Sequence, residues 1–259
     1  MNFHTFVHEF QIDKLGNRKR RISVYVPETN NPCAVLYMHD GQNLVDEAPY
    51  SGYSWDIIST TSRLIDEGKI DPIIIVGIDN DSQCRIEEYS NDISNSAKKY
   101  FKDKEVLPEG EIFSDFIVKV IVPFVESHYS TIPSKRGVAG SSCGGNISYY
   151  MGARYPEVFE IIGAFSPAYH IIGRSFFQMI RKWNVGSTQR IYHDMGMKET
   201  KCFSVQYLFP LIKTNVILRR KLQNRNNIKM VIDPKASHTE LFWQVRFEGF
   251  LMWAYQKIM

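Results

Sequence analysis

Short apolar runs alternate with longer segments of helical spacing along this chain, and that alternation constrains the fold more than any other feature. The runs are AVLYM (34–38), PIIIVGI (72–78), GVAG (137–140), IIGAFS (161–166), RIYHDM (190–195) and IKMVID (228–233). They are rich in β-branched and aromatic residues and end at turn-forming residues, as buried strands do. Between them, FSDFIVKVIVPFVESHY repeats apolar residues three and four apart at Phe113, Phe116, Ile117, Val120, Ile121, Phe124 and Val125. Strands alternating with helices imply an α/β fold with a mainly parallel central sheet flanked by helices. Residues 3–12 and 20–26, separated by DKLGNR, read as an antiparallel hairpin at the sheet edge.

With 259 residues and 44% hydrophobic content, the chain has enough material for one sizeable core. Repeats and Pro/Ser-rich linkers are absent, so a single domain over 1–259 is expected. A net charge of +3, dispersed except at Arg18–Arg21, is no nucleic-acid footprint. The four cysteines, Cys33, Cys84, Cys143 and Cys202, lack metal-ligand spacing and suggest a reducing compartment. The N-terminus lacks the apolar core of a signal peptide, and apolar runs of membrane-span length are missing. A cytoplasmic location is therefore expected.

In such folds, loops at the carboxyl ends of the strands line the ligand crevice. The polar clusters HDGQN, DNDSQCRIEEY, GSSCGG, SPAYH, GMKE and SHTE fall at those ends. In VAGSSCGGN, Gly140, Ser142 and Gly144 fit G-x-S-x-G between a strand and a helix stopped at Pro156. That context places Ser142 on a sharp strand-to-helix turn as a nucleophile, with the Cys143 N–H as an oxyanion donor; the competing reading is a simple tight turn. No G-K-[ST] follows, which disfavours a phosphate loop. A serine needs a base, and the base needs an acid, in the order Ser, acid, His for this fold. His238, between the last strand and the last helix, is the candidate base. His193 lies within a strand run, and His170 sits near a crevice loop. The acid candidates are Glu199, just past the turn at Gly196, then Asp194 and Asp233. The Gln42 N–H in HDGQN is the candidate second oxyanion donor, against a plain Asp-Gly turn.

The segments VLYMHDGQNLVD, GYSWDI, PIIIVGIDN with RIEEYS, the stretch IVPFVESHY through GAFSPA, IYHDMGMKE and SHTELFW together resemble the esterase family of α/β-hydrolases. That family includes S-formylglutathione hydrolase (esterase D), feruloyl and acetyl xylan esterases, enterochelin esterases and mycolyltransferases. The resemblance covers about 34–253. It implies an α/β-hydrolase fold, a serine esterase, Ser142 as nucleophile, His238 as base and Glu199 as acid. It also implies an oxyanion hole from the Gln42 and Cys143 amides, and no metal or cofactor. Trp55, Asn80 and Arg85 match positions bordering the family's substrate pocket. Otherwise Trp55 is a packing aromatic and Arg85 pairs with Glu87 or Glu88. This chain departs from the family at Cys143, usually a larger apolar residue, and at Ser90 and Asn91, where a proline often stands. Two unmatched stretches within 173–226 suggest a cap-like insertion. The partner expected is a small ester of an alcohol, sugar or aromatic acid. Tyr50, Tyr53, Trp55 and Phe165 near the crevice leave an aromatic group open, and Arg85 a carboxylate. An acyltransferase with the same triad and a non-catalytic binding protein on this scaffold are the alternatives, and a homo-oligomer remains open.

Overall fold

The computed structural model describes residues 1–49, 51–99, 106–199 and 205–256. Among these residues, eight strands form one sheet: β1 (Phe3–Ile12), β2 (Arg18–Pro27), β3 (Cys33–His39), β4 (Ile73–Ile78), β5 (Thr131–Ser141), β6 (Ile161–Phe165), β7 (Arg190–Gly196) and β8 (Ile228–Asp233), in the order β1-β2-β4-β3-β5-β6-β7-β8. β1 and β2 form the expected antiparallel hairpin, and β2 joins β4 antiparallel. From β4 to β8 every pairing is parallel. All six apolar runs became strands. β5 begins six residues before its apolar run, because Cys33 pairs with Thr131 across a register shift and extends the ladder through polar TIPSKR.

The helices are α1 (Ile57–Asp66), α2 (Arg85–Glu88), α3 (Asn95–Lys98), α4 (Gly110–Phe116), α5 (Val122–His128), α6 (Cys143–Arg154), α7 (Arg174–Lys182), α8 (Val205–Arg219) and α9 (Glu240–Ala254). A π-helical stretch, Ile117–Ile121, joins α4 to α5 just ahead of Pro123, whose missing N–H an α-helical ladder would otherwise have to absorb. One face of the sheet is covered by α4 to α8, which contribute Phe113, Val125, Ile147, Ile180 and Leu211 to the core. The other is covered by α1 and α9, through Leu64, Trp243, Phe247 and Phe250. Burial on both faces explains why the inner strands read as unbroken apolar runs rather than as alternating patterns.

The segment 173–226 is not one inserted block. It contains β7, hydrogen-bonded between β6 and β8. Its helices α7 and α8 pack into the same core as α6, as crossovers into and out of that strand. Residues 200–204 lie outside the described part. Among the described residues, no helix is long and apolar enough to cross a membrane.

Candidate active site

The parallel strands deliver their loops to one end of the sheet, and the chemistry gathers there. β5 ends at Ser141, and Ser142 follows at φ 57, ψ −122 before α6 begins at Cys143. A non-glycine residue holds this conformation only where its surroundings fix it. The fixing is visible: the Ser142 N–H donates to the Phe165 carbonyl at 2.9 Å, and the Ser142 carbonyl accepts from Gly145 and Asn146. The turn is so tight that a Cβ on Gly140 would lie 2.8 Å from the Gly144 carbonyl carbon, so G-x-S-x-G is a steric requirement here. The first amides of a helix have no intrahelical acceptor, which leaves the Cys143 N–H facing the crevice end of α6. Burial pushes the Cys143 thiol above its ordinary value, with Arg85 nearby opposing the shift.

On the far side of the elbow, Glu199 and His238 meet: His238 Nδ1 hydrogen-bonds Glu199 Oε2. Glu199 Oε1 accepts from the Gly196 N–H and from Ser166 Oγ, each at 2.7 Å. Burial opposes the Glu199 charge, but the His238, Ser166 and Gly196 donors outweigh it and hold the carboxyl below its usual range. The approach at Gly196 is again tight: a Cβ there would stand 2.3 Å from the Ala236 carbonyl oxygen. The His238 side chain is 35% exposed, against 5% for Glu199, so the ring opens to the crevice while its partner is sealed. Trp243 meets the His238 ring edge-on, with centroids 5.0 Å apart. His170 lies close enough that His238, after burial, lowers its pKa. Among the described residues no hydrogen bond joins Ser142 Oγ to His238.

The chain between residues 14 and 253 matches the model of the family described as "Putative esterase". The chain belongs to this family. With the family comes its reaction class, so the protein is a carboxylic ester hydrolase. YbbA of Bacillus subtilis strain 168, an uncharacterised protein, is 23% identical over 253 residues, or 94% of this chain and 95% of YbbA. Solved structures share the fold, among them the two that follow. The BES protein of Bacillus cereus has a TM-score of 0.75 at 16% identity, covering 98% of this chain and 95% of its own. The enterobactin esterase of Shigella flexneri has a TM-score of 0.76 at 16% identity over 97% of this chain, which spans 58% of that enzyme.

The remaining expected residues of the esterase fall into two groups. Asn80 and Arg85 converge on Asp40, and Gln42 joins them through Asn80. Arg85 donates from Nε and one Nη to the two Asp40 oxygens, both at 2.7 Å, Asn80 Nδ2 donates at 2.6 Å, and the Asn80 N–H donates to Gln42 Oε1 at 3.0 Å. Arg85 therefore pairs with Asp40, not with Glu87 or Glu88; Glu88 is taken by Arg20 and Arg18 of β2. Burial opposes the Asp40 charge, and Arg85 and Asn80 hold its carboxyl below the usual range. Trp55, 1% exposed, lies instead in the core, stacked on Trp243 at 5.8 Å and edge-on to Phe165. Trp55 thus stands behind the aromatic ring that touches His238. Phe165 is wholly buried, Tyr53 is exposed, and Tyr50 lies outside the described residues.

The other acid candidates are committed elsewhere. Asp194 is fully buried against Arg246, and Asp233 Oδ1 accepts the Lys235 N–H in a turn. Ser166, Trp243 and Arg246 join the site without having been expected there. Their signal was an arginine set into the apolar run LFWQVRFEGFLMW, where only a paired charge is tolerated.

Proposed function

We propose that the esterase works through a Ser142-His238-Glu199 triad and an acyl-enzyme. The observation that carries this reading is the Glu199–His238 hydrogen bond between residues 39 apart in sequence, at the same end of the sheet as the positive-φ serine. With Nδ1 donating to Glu199, His238 Nε2 is the nitrogen left to take the Ser142 proton. Ser142 Oγ then adds to the ester carbonyl carbon. The Gln42 and Cys143 amides receive the negative charge on the carbonyl oxygen. The alcohol leaves with the proton held by His238. Water repeats the sequence on the acyl-enzyme and releases the acid. Apo hydrolases often hold the serine–histidine hydrogen bond loosely and tighten it with substrate bound, which fits the open Ser142–His238 geometry.

The proposed substrate is a small ester without a carboxylate beside the scissile bond. Arg85 supports this, since the Asp40 oxygens already occupy two of its nitrogens and balance its charge. Hydrolysis of p-nitrophenyl acetate and butyrate by wild type beside Ser142→Ala and His238→Ala tests the triad. Each variant should lose about a thousandfold or more, and a fluorophosphonate should label wild type at Ser142. Full activity in Ser142→Ala would end this reading.

A further inference from the structure

The triad acid is held by a residue whose own orientation leaves no freedom. Ser166 Oγ has one proton to give and two lone pairs to fill. Trp243 Nε1 donates to it at 3.1 Å and an Arg246 Nη at 2.8 Å. Indole and guanidinium are donors only, so both lone pairs are taken and the Ser166 proton is directed to Glu199 Oε1 at 2.7 Å. A second grip fixes the same residue through its backbone. The Ser166 N–H donates to Asp194 Oδ1 at 2.9 Å, while Asp194 Oδ2 holds Arg246 Nε at 2.9 Å and the Tyr192 hydroxyl at 3.0 Å. Asp194, Arg246 and Ser166 thereby close a ring of hydrogen bonds. Ser166 and Trp243 are each 1% exposed, Asp194 is 0% and Arg246 5%, so water cannot loosen the ring and its dipoles act at low dielectric.

The backbone adds an independent observation. Ser166 sits at φ 43, a region where glycine costs least, yet a serine stands there. We propose that Ser166, oriented by Trp243 and Arg246 of α9, is a positioning residue that fixes the Glu199 carboxylate with Oε2 turned to His238. The proposal rests on the triad reading above. On this view α9 governs both halves of the pair, meeting the His238 ring through Trp243 and the acid through Ser166.

Ser166→Gly is the decisive variant, because it deletes the hydroxyl while suiting the positive φ of the backbone. The measurements are kcat and KM on p-nitrophenyl butyrate, the rate of fluorophosphonate labelling at Ser142, and Tm, for wild type, Ser166→Gly, Glu199→Gln and the double variant. Ser166→Gly should lose about tenfold to a hundredfold in kcat and in labelling rate, with KM within about twofold, while Tm falls by several degrees because Trp243 Nε1 and the Arg246 Nη lose their acceptor. In the Glu199→Gln background the same change should cost almost nothing, since the carboxylate it positions is gone. Wild-type kcat in Ser166→Gly, or a full additional loss on top of Glu199→Gln, would overturn the proposal while leaving the triad intact. A wild type that neither turns over esters nor labels at Ser142 would instead take down the triad reading and the proposal with it.

Discussion

The dipeptide His-Asp occurs at the end of β3 and again in β7, and the two copies turn the same chemistry to different uses. His39 and His193 are both buried, and burial pushes each imidazole down to about 4. Asp40 and Asp194 each hold an arginine from a helix, Arg85 of α2 and Arg246 of α9. There the likeness stops. Asp40 lies one residue past its strand at φ 59 and leads the chain out of the sheet into the loop carrying Gln42. Asp194 stays inside its strand. The Arg85 side chain keeps 26% exposure and faces the crevice end, whereas that of Arg246 keeps 4%. His193 is held by the Tyr149 hydroxyl at 2.6 Å and Asn215 Oδ1 at 3.2 Å, while neither ring nitrogen of His39 has a partner among the described residues. Position relative to a strand end thus decides whether the arginine of such a pair keeps contact with water or is sealed in the core.

That contrast can be broken by experiment. The largest effect is expected from Asp194→Ala, which leaves Arg246 charged in the core and should cost about 3–5 kcal/mol in urea unfolding. Asp40→Ala should cost under half as much, because Arg85 reaches water. Equal losses would mean that the two pairs are equivalent after all. Next come the histidines. His193→Leu strands the Tyr149 hydroxyl and Asn215 and should destabilise by about 2–3 kcal/mol, whereas His39→Leu removes an unpartnered polar ring and should cost nothing or stabilise. A large loss in His39→Leu would reveal a partner for that ring.

The smallest effect is the pH dependence. Both imidazoles stay neutral in the folded chain down to about pH 4 but take up protons near pH 6.5 once unfolded. The unfolded chain therefore binds more protons between those values. The stability from keeping these rings neutral is complete above pH 6.5 and drains away as the pH falls toward 4. Lowering the pH from 7.5 to 5.5 should remove about 1 kcal/mol for each histidine. His39→Leu should remove that residue's share of the slope, and an unchanged slope would refute the assignment.

Strand positions were readable because burial on both faces leaves an uninterrupted apolar record in each inner strand. The elbow at Ser142 and the pairing of His238 with Glu199 were readable for a different reason. Tight turns demand glycine, and Gly140, Gly144 and Gly196 mark the places where backbones nearly touch. The arginine partners were not readable. Arg85 lies three residues from Glu88 on the same short helix, and local spacing pointed there, but the chain brings Asp40 to it from 45 residues away. Arg20, 68 residues from Glu88, takes that carboxylate instead. Likewise Trp55 was placed at the pocket rim by the resemblance alone, yet it is buried against Trp243, which only the completed fold sets against it. Within 173–226, β7 was legible as the run RIYHDM, whereas the helices α7 and α8 on either side of it carry no matched motif.

α9 follows every strand of the sheet, and its position has a temporal meaning. Synthesis runs from the amino end, so Ser142 and α6 leave the ribosome nearly a hundred residues ahead of His238. Trp243, which touches the His238 ring, and Arg246, which holds Ser166, emerge later still. On the triad proposed above, a nascent chain would carry the elbow without its base, and catalytic competence would arrive as a late event, when α9 docks on a sheet already built.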